Sequence, residues 1–397
     1  MTERYVTAFR GRRDSYQVPL ALSESHQLDQ FITDIYALPR TRSLARFFPA
    51  SVRAKLDFRH DSAIPENRIH CLWGAAAHEH LRHYLRYPRM ATFHQLDPCF
   101  ALAAAQRARK TRSHLFLYSS YALEAFTARY PHTPRKVLFQ YHPHPELERR
   151  VLAHDSQIHP NFAGDLTDLP SQREYDAWKY ADFIFCASSF TRRSLLEVGA
   201  DKKKLCVVPY GMESFPLLEH QPSKEAFQAL YVGTGLQRKG LHHLLWAWGK
   251  AALPKNSRLL MVCRMISPEL EQLAATVPGV ELRRGVNELE LKSLYETSSL
   301  FVMPSLIEGF GQVYLEALAH GCPVLGTVNT ALPDLGTEAD GIFLVTPGNI
   351  EELSAQLEWL SQHLGSNPQL RHAARACAGR FTWQAFRQEL RLKLNSN

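Results

Sequence analysis

Two glutamates, Glu308 and Glu316, flank a glycine-rich turn in the second half of the chain. The apolar residues 299–303 predict a buried strand before the turn, and the residues after Gly311 predict a helix that stops at Gly321. A strand that opens through a glycine turn into a helix presents free backbone N–H groups and a positive dipole end, which suit an anion. A carboxylate beside such a turn accepts hydrogen bonds from hydroxyl groups. Together these groups fit a phosphorylated sugar.

A second group of residues that could bind an anionic ligand lies at 231–240. There the pattern predicts a strand, a glycine turn and the start of a helix. Arg238 and Lys239 are adjacent cations at that helix start, where they can neutralise the charge that develops on a pyrophosphate leaving group. A pair of surface cations is the alternative. The neighbouring Gly233 and Gly235 favour the binding interpretation, because glycines let a backbone approach a ligand closely.

Residues 304–324 resemble the donor-sugar signature of the retaining nucleotide-sugar glycosyltransferases of family 4, which have the GT-B fold. The resemblance implies that Glu308 contacts hydroxyls of the donor sugar and that Glu316 binds the ribose of the nucleotide. It also implies that a loop backbone contacts the sugar and the phosphate. The loop residues with this role are Gly309, Phe310 and Gly311. The alternative is a β-turn-α unit with two glutamates on its solvated face.

The family also places an arginine and a lysine on the diphosphate. Lys239 matches that lysine, whereas Thr234 occupies the usual position of the arginine. Arg238 is therefore assigned to the diphosphate only because it is adjacent, and Gly235 belongs to the same loop. By this resemblance Lys239 and Glu308 are predicted to be catalytic, with Lys239 stabilising the leaving diphosphate.

The third predicted catalytic residue is a histidine in residues 140–145, Gln-Tyr-His-Pro-His-Pro. The family usually has a histidine at the end of this strand, near the transferred sugar. His142 is the better match and His144 is the alternative, and a rigid loop without chemistry is the third interpretation. No carboxylate or cysteine lies at a sequence spacing from these histidines that is typical of metal ligands, so we expect no metal ion. The histidines of residues 78–83 are interpreted as part of a polar helix.

Two further donor-site residues are predicted. Gly11 follows the first strand, where the family usually has a pair of glycines, and Arg12 beside it would bring charge to the diphosphate or the acceptor. Arg264 follows the strand predicted at 258–262, where it is either a nucleotide contact or a surface arginine. Both positions lie at the carboxyl end of a predicted strand, where open parallel sheets bind ligands.

Strands that alternate with helices predict an α/β protein with parallel sheets. The strands are predicted at 5–9, 114–118, 136–141, 181–187 and 204–208, then at 229–232, 258–262, 280–282, 300–303, 323–325 and 342–345. The helices are predicted at 17–36, 191–198, 239–250, 267–276, 288–297, 312–320, 350–364 and 382–393. We expect two Rossmann-like domains that face each other across a cleft. The boundaries are an acceptor domain at 1–210, a donor domain at 211–375 and a helix at 376–397 that returns to the first domain. The polar, proline-bearing residues 212–223 are interpreted as the linker.

The composition is that of a water-soluble globular protein. The chain has 397 residues, of which 45% are hydrophobic and 21% charged, and it contains no apolar run long enough to span a membrane. Its beginning lacks the apolar core of a signal peptide. The seven cysteines never stand as Cys-x-x-Cys, which predicts reduced thiols and a cytoplasmic location.

The net charge of +7 belongs to the first half of the chain. Residues 1–200 carry 27 Lys and Arg against 20 Asp and Glu, and residues 201–397 carry 19 of each. One basic stretch contains Arg40, Arg42, Arg46, Phe47, Phe48, Arg53, Lys55 and Arg59, and a second one spans 107–112. Such surfaces suit an anionic acceptor or the inner face of the cell membrane as a peripheral contact, and a solvated helix face is the alternative. A nucleic acid fits the charge but no recognised motif, and we expect none.

The family resemblance implies transfer of a hexose-like sugar, with retention of configuration, from a nucleoside-diphosphate sugar to a glycan or lipid-linked acceptor, as in polysaccharide or glycolipid synthesis. No other cofactor is expected, because the nucleotide-sugar is a substrate and fixed cations replace a metal. Two other classes stay open. A same-fold epimerase or hydrolase would act on the nucleotide-sugar without an acceptor. A non-catalytic nucleotide-sugar-binding scaffold would bind the diphosphate and turn nothing over.

Overall fold

A computed structural model describes residues 3–38, 53, 57–87, 89–163, 172–213, 226–367 and 369–396. The predicted linker at 212–223 lies outside these residues except for its first two positions. Most of the first basic stretch, including Phe47 and Phe48, also lies outside them. Within the described residues, no helix is both long and apolar enough to cross a lipid bilayer.

The first half of the chain forms a parallel sheet of seven described strands. They are β1 (Tyr5–Ala8), β2 (Leu28–Thr33), β3 (Ile69–Cys71), β4 (His114–Tyr118), β5 (Lys136–Gln140), β6 (Phe183–Cys186) and β7 (Leu205–Val207). Their order across the sheet is β3-β2-β1-β4-β5-β6-β7. The order reverses between β1 and β4, and such a switch point leaves a crevice at the carboxyl ends of the strands.

The described residues of the second half form a parallel sheet of six strands with the same kind of order, β10-β9-β8-β11-β12-β13. The strands are β8 (Gln228–Gly235), β9 (Arg258–Ile266), β10 (Val280–Arg283), β11 (Leu300–Val302), β12 (Val324–Thr327) and β13 (Ile342–Val345). Here the switch point lies between β8 and β11, which pair through Ala229 with Leu300 and Leu230 with Phe301. The two motifs singled out in the sequence follow these two strands.

Helices connect the strands and cover the sheets. The described ones are α1 (Gln17–Glu24), α2 (Trp73–Tyr84), α3 (Arg89–Thr111), α4 (Leu123–Thr127), α5 (Pro145–Ile158), α6 (Gln172–Asp176), α7 (Ser189–Glu197), α8 (Leu241–Lys250), α9 (Pro268–Thr276), α10 (Glu288–Thr297), α11 (Gln312–Ala319), α12 (Leu332–Leu335), α13 (Ile350–His363), α14 (Gln369–Gly379) and α15 (Trp383–Ser396). The predicted α/β class with two Rossmann-like sheets is confirmed. The domain boundaries at residues 210 and 375 stay a prediction.

One predicted element is wrong. The helix expected at 17–36 ends at Glu24, and the chain then forms strand β2. Leu28, Phe31 and Ile32 imitate a helical face because they are spaced by three and four residues. The strand lies between β3 and β1 and is buried on both faces, so the alternation that identifies a half-buried strand is missing.

The C-terminal helix α15 packs against the first domain. Arg387 donates hydrogen bonds to Glu24 at 2.7 Å and to Gln17 at 2.6 Å, both on α1. Phe386 is buried against Phe139 of β5, with ring centroids 5.9 Å apart. Helix α15 thus follows the second sheet in the chain but packs on the first, which ties the two halves together.

The second basic stretch is partly a structural feature. Arg107, near the end of α3, donates two hydrogen bonds to the buried Asp29 of β2, at 2.9 and 3.0 Å. Arg109 donates to the backbone oxygen of Arg129 at 2.8 Å. These two arginines therefore stabilise the domain, whereas Lys110 and Arg112 are exposed.

Candidate functional site

The loop after β8 is shaped by two glycines. A Cβ on Gly235 would lie 2.5 Å from a side-chain carbon of Ile266 on β9. Gly240 has a φ of +66°, and a Cβ there would lie 2.1 Å from the backbone oxygen of Pro304. Both contacts exclude a side chain. The loop that carries Arg238 and Lys239 is therefore held directly against the loop after β11.

Glu308 lies in that second loop, where its carboxylate meets both cations. Arg238 donates to Glu308 Oε2 at 2.9 Å, and Lys239 Nζ is bonded to the same oxygen. Two backbone hydrogen bonds fix the loop: Leu306 N donates to Arg238 O at 2.9 Å, and Glu308 N donates to Asn329 O at 3.0 Å. The structure thus joins residues that are about 70 positions apart in the sequence.

Charge and burial oppose each other in this cluster. Burial by itself would raise the pKa of Glu308, but the positive charges of Lys239 and Arg238 outweigh it and hold its pKa below the ordinary value. Burial lowers the pKa of Lys239, and Glu308 offsets that effect only in part. At neutral pH Glu308 is therefore ionised and paired with cations that an anionic ligand would compete for.

His142 reaches the cluster from the first domain. The backbone at Gly309 touches its loop, since a Cβ on Gly309 would lie 2.0 Å from Tyr141 O and 2.9 Å from His142 Cα. The His142 side chain is accessible from the cleft but closely surrounded by protein. Enclosure and the nearby positive charges of Arg238 and Arg13 lower its pKa from the ordinary value, although Glu308 opposes them. His142 is therefore neutral at physiological pH and suited to hydrogen bonding.

His144, the alternative to His142, has a local role. It is the N-cap residue of α5, and its Nδ1 accepts a hydrogen bond from Glu146 N at 3.2 Å. Its side chain is buried, and Trp178 Nε1 lies 3.2 Å from its Nε2. This geometry favours His142 as the histidine of the cleft.

The Gly-Phe-Gly loop contacts the first domain in this structure. Gly309 O accepts hydrogen bonds from Ser188 Oγ at 2.5 Å and from Thr191 Oγ1 at 3.3 Å. Phe310 is buried against Tyr210, with ring centroids 5.4 Å apart. Gly311 has a φ of +84° and begins α11. The side chain of Phe310 and the carbonyl of Gly309 thus bind the two domains together, and the role of this loop toward a donor stays a prediction.

Glu316 lies on α11 and is half-buried. Tyr295 of α10 donates a hydrogen bond to Glu316 Oε2 at 3.1 Å. Burial raises the pKa of Glu316, and the Tyr295 hydrogen bond opposes the rise. The tyrosine holds the carboxylate in one orientation, which suits its predicted role toward a ribose.

The remaining predicted donor residues lie farther out. Gly11 donates its N–H to Asp34 Oδ1 at 2.9 Å. Its φ of +83° favours glycine at this position in the turn after β1. Arg264 is exposed near the end of β9. Arg12 stacks on Phe58, with its guanidinium carbon 4.6 Å from the ring centre. Among the described contacts, none links these three residues to Glu308.

Sequence reasoning missed Arg13 and Asp14, which follow Arg12. The Arg13 guanidinium lies over the ring of Tyr141, 4.1 Å from its centre and next to His142. Tyr210 donates a hydrogen bond to Asp14 at 2.7 Å. Asp14, Ser15 and Tyr16 have φ values of 46°, 48° and 64°, and left-handed backbone at non-glycine residues costs about 1–3 kcal/mol each. Such strain is typical of functional loops, and the charged sequence directly after a strand was the available signal.

Asp97 of α3 was also missed. Its carboxyl group is buried, and burial raises its pKa to about 7, against the opposing charges of Arg10 and Arg173. The charge of Arg13 also acts on Asp97. The first domain therefore carries a buried carboxyl group with a pKa of about 7, close enough to Arg13 to feel its charge.

Solved structures show which known fold the chain shares. The sucrose-phosphate synthase of Thermosynechococcus elongatus superposes with a TM-score of 0.67 at 16% identity, over 99% of each chain. Anabaena HepE, in complex with UDP and glucose, superposes with a TM-score of 0.59 at 15% identity, over 100% of each chain. The fold is the two-domain GT-B fold of glycosyltransferases, as predicted.

The sequence relatives are glycosyltransferases as well. Residues 226–363 match the family model described as Glycosyl transferases group 1. The MMP alpha-(1->4)-mannosyltransferase of Mycolicibacterium hassiacum is 27% identical over 214 residues, covering 51% of each chain. The O-antigen chain mannosyltransferase B of Escherichia coli is 26% identical over 242 residues, covering 55% of this chain and 62% of that protein. The predicted resemblance to the group 1 glycosyltransferases is confirmed, and the chain matches about half the length of the first of these relatives.

Proposed function

We propose that the protein is a retaining glycosyltransferase that moves a hexose-like sugar from a nucleoside-diphosphate donor to a glycan or lipid-linked acceptor. The observation that carries this proposal is the position of Glu308 between Arg238 and Lys239, after the two strands at the switch point of the second sheet. A nucleotide-sugar needs both kinds of group there. The cations suit its diphosphate, and the carboxylate suits its hydroxyl groups.

Binding of the donor would replace the ion pairs within this cluster by contacts with the ligand. The diphosphate would take over Lys239 and Arg238, which releases Glu308 Oε2 to accept hydrogen bonds from the sugar. The nucleotide would extend toward Glu316, whose orientation Tyr295 fixes. The buried, pre-arranged cations then act most strongly as negative charge grows on the leaving diphosphate.

In the proposed reaction the bond between the sugar anomeric carbon and the diphosphate oxygen breaks, and the acceptor oxygen bonds to the same face of that carbon. The acceptor proton passes to the leaving diphosphate. His142 is neutral and would orient the sugar through a hydrogen bond. Lys239 and Arg238 supply the positive charge, so we propose that transfer needs no other cofactor.

The first domain would hold the acceptor. Arg13 lies over Tyr141, next to His142 in the sequence, and the charges of Arg13 and Asp14 interact, so this loop offers the acceptor side both a donor and an acceptor of hydrogen bonds. A cytoplasmic location with peripheral contact at the inner membrane face belongs to the same proposal. Several relatives are described as mannosyltransferases, so mannose is the first sugar to test.

The test combines ligand binding with turnover. Purified protein is first heated with UDP, GDP, ADP and TDP, because a ligand that binds the folded state raises the melting temperature. The matching nucleotide-sugars, GDP-mannose first, are then incubated with and without glycan and lipid-linked acceptors. We expect release of nucleoside diphosphate that requires an acceptor.

Other outcomes identify the rival classes. Release or conversion of the donor without an acceptor would establish the epimerase or hydrolase. Binding of a diphosphate with no turnover of any donor would establish the scaffold protein. No binding of any nucleotide would overturn the proposed donor site.

A further inference from the structure

A second cluster of titratable side chains lies away from Glu308, where α5 of the first domain meets α8 of the second. His242 Nε2 is 3.1 Å from Asp155 Oδ2, and His243 Nε2 is 3.1 Å from Asp155 Oδ1. The three side chains are 6% (Asp155), 0% (His242) and 2% (His243) exposed. One ligand atom from each lies within 4.8 Å of the other two. The proposed transfer reaction uses none of them.

These distances match the coordination shell of a small metal ion. Zinc binds imidazole nitrogen and carboxylate oxygen at about 2.0–2.2 Å, so neighbouring ligand atoms of a tetrahedral site are roughly 3.3–3.5 Å apart. The observed carboxylate-to-imidazole separations need to change by only a few tenths of an ångström. Two imidazoles and one carboxylate are also the ligand types that suit divalent first-row transition metals.

The carboxylate of Asp155 is held in one orientation by its neighbours, as the ligand of a metal site must be. Gln237 donates a hydrogen bond to Asp155 Oδ2 at 2.7 Å and fixes the carboxylate from behind.

Hydrogen bonding alone leaves the cluster incomplete. His242 Nδ1 and His243 Nδ1 are buried without a hydrogen-bond partner in the described part of the chain. Burying an unsatisfied polar atom costs about 1–3 kcal/mol. The nitrogens that face Asp155 are the Nε2 atoms, so the ion would bind through Nε2, and the free energy of its binding would offset the cost of the buried Nδ1 atoms.

The cluster also has an entry path and a source for a fourth ligand. A cavity of about 420 Å³ between the domains is lined by Asp155, His243, His159 and His154. The His159 ring centre is 5.2 Å from that of His243, so His159 or a water molecule can complete four-fold coordination. An ion can therefore reach Asp155 from solvent without unfolding of either domain.

We propose that Asp155, His242 and His243 form a binding site for one divalent transition-metal ion, for which Zn²⁺ is the best chemical match. Asp155 belongs to the first domain and both histidines belong to the second. The ion therefore stabilises the contact between the domains. This proposal does not depend on the sugar-transfer reaction, because the site lies outside the Glu308 cluster.

The test measures metal content on the full chain. Protein treated with a chelator and dialysed is titrated with Zn²⁺ against a chromophoric competitor, which suppresses weak binding by exposed histidines. We expect one Zn²⁺ per chain, a higher melting temperature, and, with Co²⁺ as the probe, the visible absorption of a four-coordinate ion. Asp155→Asn and His243→Asn should each abolish the stoichiometric site. His154→Asn is the matched control, because His154 is exposed in the same cavity, and it should bind one ion.

The opposite results overturn the proposal. It is wrong if the wild-type chain binds no Zn²⁺ at this stringency, or if both ligand variants fold and still bind one ion. Should the ligand variants not fold, crystals of the wild-type chain soaked in Zn²⁺ decide the question. Anomalous density between Asp155 and the two histidines supports the site, and density elsewhere or none refutes it.

Discussion

At the scale of single residues, the chemistry depends on which group neutralises Lys239. Without a donor, Glu308 does so, and both side chains are almost fully buried. A buried charge that loses its partner is costly, so a ligand that displaces Glu308 must bring its own negative charge. This requirement favours a diphosphate over a neutral sugar.

Substitution of Glu308 should separate turnover from binding. Glu308→Gln removes the carboxylate proposed to bind sugar hydroxyls but keeps the positive charges of Lys239 and Arg238 that are proposed to bind a diphosphate. We expect kcat to fall by about 100-fold or more, with nucleoside-diphosphate affinity kept or increased. Glu316→Gln is the matched comparison, and should weaken nucleotide binding by roughly 10-fold or more. Steady-state kinetics and calorimetry check both, and negligible effects of both changes would remove the site assignment.

Asp97 should make stability depend on pH. Burial raises its pKa from 3.8 to about 7 in the folded protein, so between those values the folded state holds a proton that the unfolded state releases. Stability is therefore lost as the pH rises through this window. Asp97→Asn removes the ionisable group, and should be more stable than the wild type at pH 8 by a few kcal/mol, at about 1.4 kcal/mol per pKa unit. The difference in stability between Asp97→Asn and the wild type should be smaller at pH 5.

Melting temperatures of both proteins at pH 5 and pH 8 check this prediction. An equal difference at both pH values would mean that Asp97 does not titrate in this range.

At the scale of elements, the site depends on loops that touch through glycines. Gly240 is pressed against Pro304, and Gly309 is pressed against Tyr141 of the opposite domain. The first contact positions two loops that follow strands of the same sheet, and the second positions the two domains against each other. The cleft chemistry is therefore set by backbone approach as much as by side chains.

Gly309→Ala tests the contact between the domains. Its Cβ would lie 2.0 Å from Tyr141 O, a backbone atom, so one of the two loops must move. We expect kcat to fall by about 100-fold, because small misplacement of reacting groups has effects of that size. Gly74→Ala is the control, since no atom lies within 4 Å of its Cβ in α2, and it should keep full activity. Equal activity of the two variants would show that the Gly309 contact is not needed.

At the scale of the whole molecule, α15 and the interdomain contacts unite the two halves. A small apolar cluster made by Leu147, Leu152 and Phe190 of the first domain with Leu306 and Ile307 of the second adds to this contact. The apolar face of α15 covers β5 and Tyr210 of the first domain. The buried side chains of α15 are thus part of the first domain's core, namely Trp383, Phe386, Leu390 and Leu394.

Phe386→Ala should destabilise the first domain. Phe386 is 2% exposed and lies against Phe139 and Tyr210, so the change leaves a cavity that costs about 3–5 kcal/mol. Leu392→Ala on the same helix is the control, because Leu392 is 61% exposed and its loss should cost less than about 0.5 kcal/mol. Chemical denaturation of both variants checks the difference. Similar unfolding curves would show that α15 is not anchored through Phe386.

Local patterns were enough to predict much of this protein. The strands and glycine turns of the second domain are encoded in short apolar runs, and parallel strands place their carboxyl ends at one edge. For that reason the motifs around Lys239 and Glu308 could be expected to meet, and they do. Strand β2 could not be read in the same way, because a strand buried on both faces has no alternation.

Other features exist only because distant residues come together. Arg13 contacts the ring of Tyr141, and Asp155 contacts two histidines that lie 87 and 88 positions later in the sequence. The sequence spacing of these residues does not indicate that they are in contact, and each one alone is an ordinary side chain. The amino-acid sequence by itself determined the fold class and the motifs that are predicted to bind the donor, through short-range pattern and charge. Only the tertiary structure decided which side chains face each other across the domain contact, because that depends on how two separately folded sheets pack.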